Sequence, residues 1–299
     1  MSHAATVRVG DHEVSLSNLD KVLYPESGTT KGDVIGYYAA IAPVMLPHLA
    51  GRCITLKRFP DGVTTDGFFE KRCPGHRPGF VGTHTGPGDR RGDVQYCAID
   101  TPAALVWAAN MAALELHVPM ALAADLDSPQ ALVFDFDPGA PATIVQCCEV
   151  ALWVRDLLAA VGLGAWAKTS GSKGLQVYVP LNGPNTHQHA ADVALAVGQM
   201  LERQHPDRVT TTMAKAVRPG KIFIDWSQNA RHKTTIGVYS LRARPQPTVS
   251  TPVTWDEVSA CAAGDLELRF TWERVLERVD QHGDLWADVL SRHQSLPAA

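Results

Sequence analysis

The sequence predicts an α/β or α+β fold, and three observations carry that prediction. Apolar runs of strand length alternate with longer segments of helical period. Gly, Pro or a capping residue separates almost every pair of segments. No heptad, internal repeat or apolar run of about eighteen residues competes with the pattern. The 299 residues are 45% hydrophobic with 27 basic against 31 acidic side chains, which excludes a disordered, collagenous or coiled-coil chain.

Taken in order, Val7 to Val9 and Val14 to Leu16 read as a hairpin around Gly10-Asp11. From Lys31 to about Leu46 the spacing of Val34, Ile35, Tyr38, Ile41 and Ala42 is helical, with Thr30 as N-cap. Ile54 to Arg58 and Gln95 to Ile99 read as strands, and the Pro- and Gly-rich stretch from Pro74 to Gly92 as an ordered surface loop. Pro102 to Leu114 starts with Pro in a first turn and reads as a helix. Leu132 to Phe136 is a compact apolar strand, Thr143 to Val161 a helix stopped by Gly162, and Leu175 to Pro180 a further strand. His187 to Gln204 is helical, Ile222 to Ile224 strand-like, and Trp255 to Ala263 and Trp272 to His282 are amphipathic helices. Without a long linker, residues 1–299 are expected to form one compact catalytic unit: an N-terminal part over 1–122, a core over 123–247 and C-terminal helices over 248–299.

Those segments differ in charge. Their formal net charges are −1 for 1–122, −4 for 123–200, +6 for 201–247 and −5 for 248–299, within a total of −4. The average argues against coating nucleic acid by bulk charge, whereas the +6 segment beside the −4 segment points either to a polarised surface or to solvated charge on several faces. The absence of a membrane span or a basic, apolar leader pattern places the chain in the cytoplasm, with no membrane partner. Cys53, Cys73, Cys97, Cys147, Cys148 and Cys261 follow no disulfide-scaffold spacing and are expected to be reduced and mostly buried. Cys73 and His76 form a C-x-x-H without the second ligand pair that a zinc site needs.

The sharpest feature is Leu132-Val133-Phe134-Asp135-Phe136-Asp137-Pro138-Gly139. On a strand, residues i and i+2 share a face, so Asp135 and Asp137 project side by side with Cα atoms roughly 6.6 to 7 Å apart. A hard divalent cation between them would relieve their repulsion. Asp-Pro-Gly is also ordinary turn chemistry, so both readings stand at this point. Lys221 to Trp226 repeats the arrangement of an apolar strand ending in Asp, here Asp225, and three carboxylates on neighbouring strands are the parts of a two-metal phosphoryl-transfer site. Lys168-Thr169-Ser170-Gly171-Ser172-Lys173-Gly174-Leu175 is a turn whose glycines and Lys173 suit phosphate oxygens, and it also suits a plain hairpin. No Walker A pattern occurs, so the chain is not a P-loop ATPase.

The ordered set of motifs closely resembles the polymerase domain of bacterial ligase D and its stand-alone relatives, in the archaeo-eukaryotic primase superfamily. It runs through Asn18 to Pro25, Thr55-Leu56-Lys57-Arg58, Phe68-Phe69-Glu70-Lys71 and Leu114-Glu115-Leu116-His117. It continues through Phe134 to Gly139, Thr169 to Gly174, Ile224 to Asn229 and Tyr239 to Arg244. The resemblance implies a primase-like core with a mixed or antiparallel central sheet flanked by helices. It also implies an end-joining polymerase adding nucleotides, ribonucleotides by preference, to a primer 3′-hydroxyl with two Mn2+ or Mg2+ ions.

By the same resemblance, Asp135, Asp137 and Asp225 are the metal triad. Lys57, Ser170, Lys173, Gln228 and Arg242 hold the nucleotide, and His117 contacts its sugar. Phe68 and Phe69 stack on the template, while Asn18, Lys21 and Lys31 take the 5′-phosphate of the downstream strand. From the residues alone, His117 also reads as a satisfied histidine at a helix end, Phe68 and Phe69 as core, and the three N-terminal polar residues as plain surface. The implied substrates and partners are rNTP or dNTP, gapped or broken DNA at the nucleoid, Ku and a separate ligase. The lack of a K-x-D-G ligase motif makes a free-standing polymerase the expectation.

Two departures stand out. Gln176 occupies the place where the superfamily commonly has a histidine, and it can donate a hydrogen bond but carries no charge. Val118 to Pro129 lacks the Trp-containing stretch often found there. Competing readings are a haloacid-dehalogenase-type phosphatase, with Asp135 as nucleophile, and a catalytically weak module that bridges DNA ends. The mid-chain position of Asp135 speaks against the first and the intact carboxylate triad against the second.

Overall fold

The computed structural model describes residues 5–88 and 92–297. The chain divides into two compact units, each built from separated segments. The first comprises the chain up to Ala124 with Thr234–Ser250 and Phe270–Asp284, and the second comprises Asp125–Lys233, Thr251–Arg269 and the chain from Leu285. The first boundary between the units falls at 124/125. Beyond it the chain returns to the first unit twice, and only three-dimensional pairing reveals those returns.

In the first unit an antiparallel sheet has the order Thr234–Ile236, Ala113–Pro119, Thr55–Arg58, Phe68–Glu70. Helix Lys31–Leu49 opens with a reciprocal cap in which Thr30 accepts from the Asp33 amide and Asp33 accepts from the Thr30 amide. It runs three residues past the anticipated end, through Pro47, because its buried stripe of Val34, Tyr38, Ile41 and Met45 packs on helix Pro102–Asn110. That second helix stops four residues earlier than its apolar run suggests. Ala112 turns the chain with φ +57°, and the rest of the run becomes the strand Ala113–Pro119. His117 therefore stands on a strand and not at a helix end.

The Pro- and Gly-rich stretch is more regular than a loop. Thr83–Pro87 pairs antiparallel with Asp93–Cys97, while residues 89–91 of that stretch lie outside the described residues. The Cys73 amide donates to the Gln95 carbonyl, which lays Cys73 beside the Asp93–Cys97 strand, and Cys73 is disulfide-bonded to Cys97. This corrects the expectation of six reduced thiols and removes Cys73 as a zinc ligand. Cys53, Cys147, Cys148 and Cys261 are free and buried, as anticipated.

The second unit holds a six-stranded mixed sheet, in the order Val209–Thr210, Ile222–Ile224, Ala131–Pro138, Leu175–Pro180, Trp166–Thr169, Pro252–Val253. Only the Val209–Thr210 pairing is parallel. Phe134 and Phe136 are fully buried in its central strand, and each such side chain contributes about 1.5–3 kcal/mol by leaving water. Helices Ile144–Ala160 and His187–Gln204 pack on that strand, capped by Thr143 and Thr186. Gly162, with φ +79°, follows the first of them and lets the chain turn away, as its position suggests. Among the described residues no helix is long and apolar enough to cross a membrane.

Candidate active site

The central strand of the second unit carries Asp135 and Asp137 on one face at its open end, and Asp135 is registered against Gln176 and Asp137 against Phe223. Asp225 follows the neighbouring strand, where its amide donates to the Asp135 carbonyl at 2.8 Å. The three carboxylates predicted from sequence are thus brought to adjoining strand ends. Burial first, and then the charges of Asp137 and Asp225, push Asp135 up to about 7 against the opposing pull of Gln176 and Lys168. Asp137 is also raised, by burial and then by Asp225, with Arg218 opposing.

Two neighbouring carboxylates that both resist ionising are the arrangement a hard divalent cation relieves, so these residues fit such a group. Among the described residues no three His, Cys, Asp or Glu side chains are already drawn around one metal position. Asp225 has hydrogen-bond partners of its own. It caps the short helix Trp226–Asn229, its Oδ1 accepting from the Ser227 hydroxyl at 2.6 Å and the Ser227 amide at 3.1 Å, while Gln228 donates to its Oδ2 at 3.3 Å. The buried Gln228 Oε1 has no hydrogen-bond partner, so it stands as an acceptor for an incoming donor.

Two glycines bring chain segments against this strand end. A Cβ on Gly174 would stand 2.2 Å from the Phe136 carbonyl oxygen, so only glycine lets the Ser170 to Gly174 turn lie there. A Cβ on Gly139 would meet the Arg218 carbonyl oxygen at 1.9 Å. Within the turn, the Ser170 Oγ accepts from the Gly174 amide at 3.1 Å and the Ser172 amide at 3.3 Å, and Lys173 is exposed.

The first unit carries a separate cluster. Glu115, 2% exposed, accepts from His117 Nε2 at 2.9 Å, Arg242 Nε at 3.1 Å and the Ala243 amide at 3.0 Å, with Lys57 Nζ 4.0 Å away. Burial alone would raise its pKa, but the His117 hydrogen bond, the Arg242 and His117 charges and the Ala243 amide outweigh burial and hold it at about 2. Phe69 lies edge-on to His117 with centroids 5.2 Å apart, and Lys57 sits 5.2 Å over the Phe69 ring. Phe68 is 45% and Phe69 59% exposed, so both aromatics face solvent, where strand alternation required only one.

Asn18, Lys21 and Lys31 gather in the same unit. The Lys21 amide donates to the Asn18 carbonyl, and the Lys31 amide to the Lys21 carbonyl. Lys21 is exposed and pairs with Asp61 at 2.9 Å. Lys31 is buried, its Nζ donating to the Ser17 carbonyl at 2.7 Å, and burial followed by the Lys21 and Arg58 charges lowers its pKa.

Sequence reading passed over three residues. Glu115 lay inside a quoted motif, where its acidity gave no hint that it collects cations. Arg218 stacks 3.6 Å over Phe223 and opposes the rise in Asp137; the +6 segment was its only signal. Lys168 sits next to the Ser-Gly turn and is 1% exposed, a burial that an isolated lysine letter conceals.

Residues 30–286 match the family model described as LigD, primase-polymerase domain. The chain is 47% identical over 281 residues to the multifunctional non-homologous end joining protein LigD of Mycolicibacterium smegmatis, covering 92% of this chain and 36% of that protein. It is 32% identical to LigD of Pseudomonas aeruginosa over 99% of this chain and 35% of that protein. The chain thus spans about a third of the length of these relatives. The polymerase domain from Mycobacterium tuberculosis ligase D, solved in complex with DNA, superposes with a TM-score of 0.86 at 43% identity, covering 94% of this chain and 99% of that one. Taken with the carboxylate-bearing mixed sheet, these matches show that the chain belongs to the LigD primase-polymerase domain family.

Proposed function

We propose that the whole of 1–299 works as a DNA-end polymerase, adding ribonucleotides in preference to deoxyribonucleotides to a primer 3′-hydroxyl. The observation that carries this reading is the convergence of Asp135, Asp137 and Asp225 at adjoining strand ends, where desolvation and neighbouring carboxylate charge raise the pKa of both Asp135 and Asp137. Two bound Mn2+ or Mg2+ ions would supply charge neutralisation for the attacking and leaving oxygens. Asp135 and Asp137 would hold such ions, and Asp225 would join them or accept the proton of the primer hydroxyl. Ser170 and Lys173 bind the triphosphate, and the unpaired Gln228 Oε1 accepts from the nucleotide.

In the first unit Lys57 and Arg242 supply positive charge to the nucleotide, and His117 contacts its 2′-hydroxyl. Exposed Phe68 and Phe69 stack on the template. Asn18, Lys21 and Lys31 take the 5′-phosphate of gapped or broken DNA. Ku and a separate ligase are the partners this activity calls for. The solved Mycobacterium tuberculosis domain in complex with DNA supports DNA as substrate.

Primer extension on gapped DNA, with and without a downstream 5′-phosphate, tests the reading. The expected result is incorporation with Mn2+, preference for rNTPs, stimulation by the phosphate, and loss in Asp135→Ala. Absence of extension with either nucleotide, while gapped DNA still binds, would make the chain an end-bridging module instead.

A further inference from the structure

Lys168, Gln176 and Asp135 form one row across three neighbouring strands of the second unit, with Lys168 registered against Gln176 and Gln176 against Asp135. Directly opposed residues on paired strands project to the same face, so the three side chains are adjacent. Lys168 is 1% and Gln176 3% exposed. Lys168 Nζ donates to Gln176 Oε1 at 2.6 Å, and Gln176 Nε2 donates to Asp135 Oδ1 at 3.0 Å. The ammonium also lies 5.5 Å over the Tyr178 ring.

The chemistry of these groups fixes the direction of the chain of bonds. A primary amide can present either its oxygen or its NH2, and an oxygen facing Asp135 would set acceptor against acceptor. An ammonium only donates, so Lys168 compels the oxygen to its own side and the NH2 to the carboxylate. Asp135 Oδ1 is thereby held. A buried lysine costs free energy that an apolar residue would avoid, which argues that its charge has a task here.

We propose that Lys168 and Gln176 are a positioning pair for Asp135. Lysine sets the amide, and the amide holds the carboxylate in the orientation that presents its second oxygen to a divalent cation. The proposal rests on the reading of Asp135 as a metal ligand. Neither residue touches nucleotide or DNA in this role, so metal binding and turnover depend on the pair while nucleotide KM does not.

The test measures Mn2+ binding to the whole chain without DNA, by the free-ion electron paramagnetic resonance signal, together with kcat and nucleotide KM. Lys168→Met and Gln176→Leu are each expected to weaken Mn2+ binding by about 10- to 100-fold, the range seen when the partner of a metal ligand is lost, and to lower kcat with KM unchanged. Gln176→Leu carries the test alone if Lys168→Met does not fold. The double variant Lys168→Met with Gln176→His is expected to recover binding, because an imidazole moves its proton to the nitrogen facing Asp135 without help from lysine. Single variants with wild-type Mn2+ affinity and kcat, or a double variant as weak as the singles, would overturn the positioning role alone. A wild-type chain that neither binds Mn2+ nor extends primer would overturn the metal-centre reading together with it.

Discussion

Replacing Glu115 with Gln keeps the shape of the side chain but withdraws its charge from His117, Arg242 and Lys57. Glu115 is held at about 2 against the usual 4.5, so its ionised form stabilises the folded first unit by about 3 kcal/mol. Its 2% exposure leaves little solvent to screen the loss. A carboxylate with a depressed folded pKa contributes in full above its unfolded value and loses the contribution as pH falls toward the folded one. Glu115→Gln is therefore expected to lower stability by about 3 kcal/mol at pH 7, with the gap to wild type closing between about pH 4.5 and pH 2. Urea titrations at pH 7, 5 and 3 read this directly. Because the amide no longer anchors His117 and Arg242, nucleotide KM is expected to rise as well. A variant as stable as wild type at pH 7, or a deficit that stays constant down to pH 3, would refute the claim that Glu115 holds the cationic cluster together.

Three further outcomes follow from other sites. Lys21→Ala is expected to remove stimulation by a downstream 5′-phosphate while leaving extension on DNA without that phosphate intact, since Lys21 is exposed and pairs with the exposed Asp61; an unchanged phosphate effect would remove Lys21 from the pocket. Gly174→Ala drives a Cβ toward the Phe136 carbonyl oxygen and is expected to destabilise the second unit by about 1–3 kcal/mol and to weaken nucleotide binding, and an unaltered melt would contradict the close approach. Thiol titration of the unfolded, unreduced chain should count four thiols, Cys53, Cys147, Cys148 and Cys261, whereas six would contradict the Cys73–Cys97 bond.

The parts of the fold that were legible in sequence are those whose signal is local. Asp135 and Asp137 could be placed on one face because strand period fixes i and i+2, and Gly162 marked the helix end because a positive φ favours glycine. The strand Ala113–Pro119 was hidden because its Ala-Leu start continues the apolar run of the preceding helix, and short apolar runs serve either structure. That one boundary concealed the strand address of His117 and the cation-collecting place of Glu115. Long-range pairing was out of reach in the same way. The Cys73–Cys97 bond depends on a strand pairing within a Pro- and Gly-rich stretch, and the Lys168–Gln176–Asp135 row depends on the register of three strands.

In the function proposed above, the carboxylates at the end of the Ala131–Pro138 strand perform nucleotidyl transfer. Its most direct measurement is single-turnover addition of one ribonucleotide to a primer 3′-hydroxyl by the wild-type chain and by Asp135→Asn, Asp137→Asn and Asp225→Asn, with DNA binding followed in parallel. Each substitution is expected to slow addition by on the order of 10²–10³ or more while DNA affinity is retained. Addition at the wild-type rate by Asp135→Asn or Asp137→Asn would contradict it.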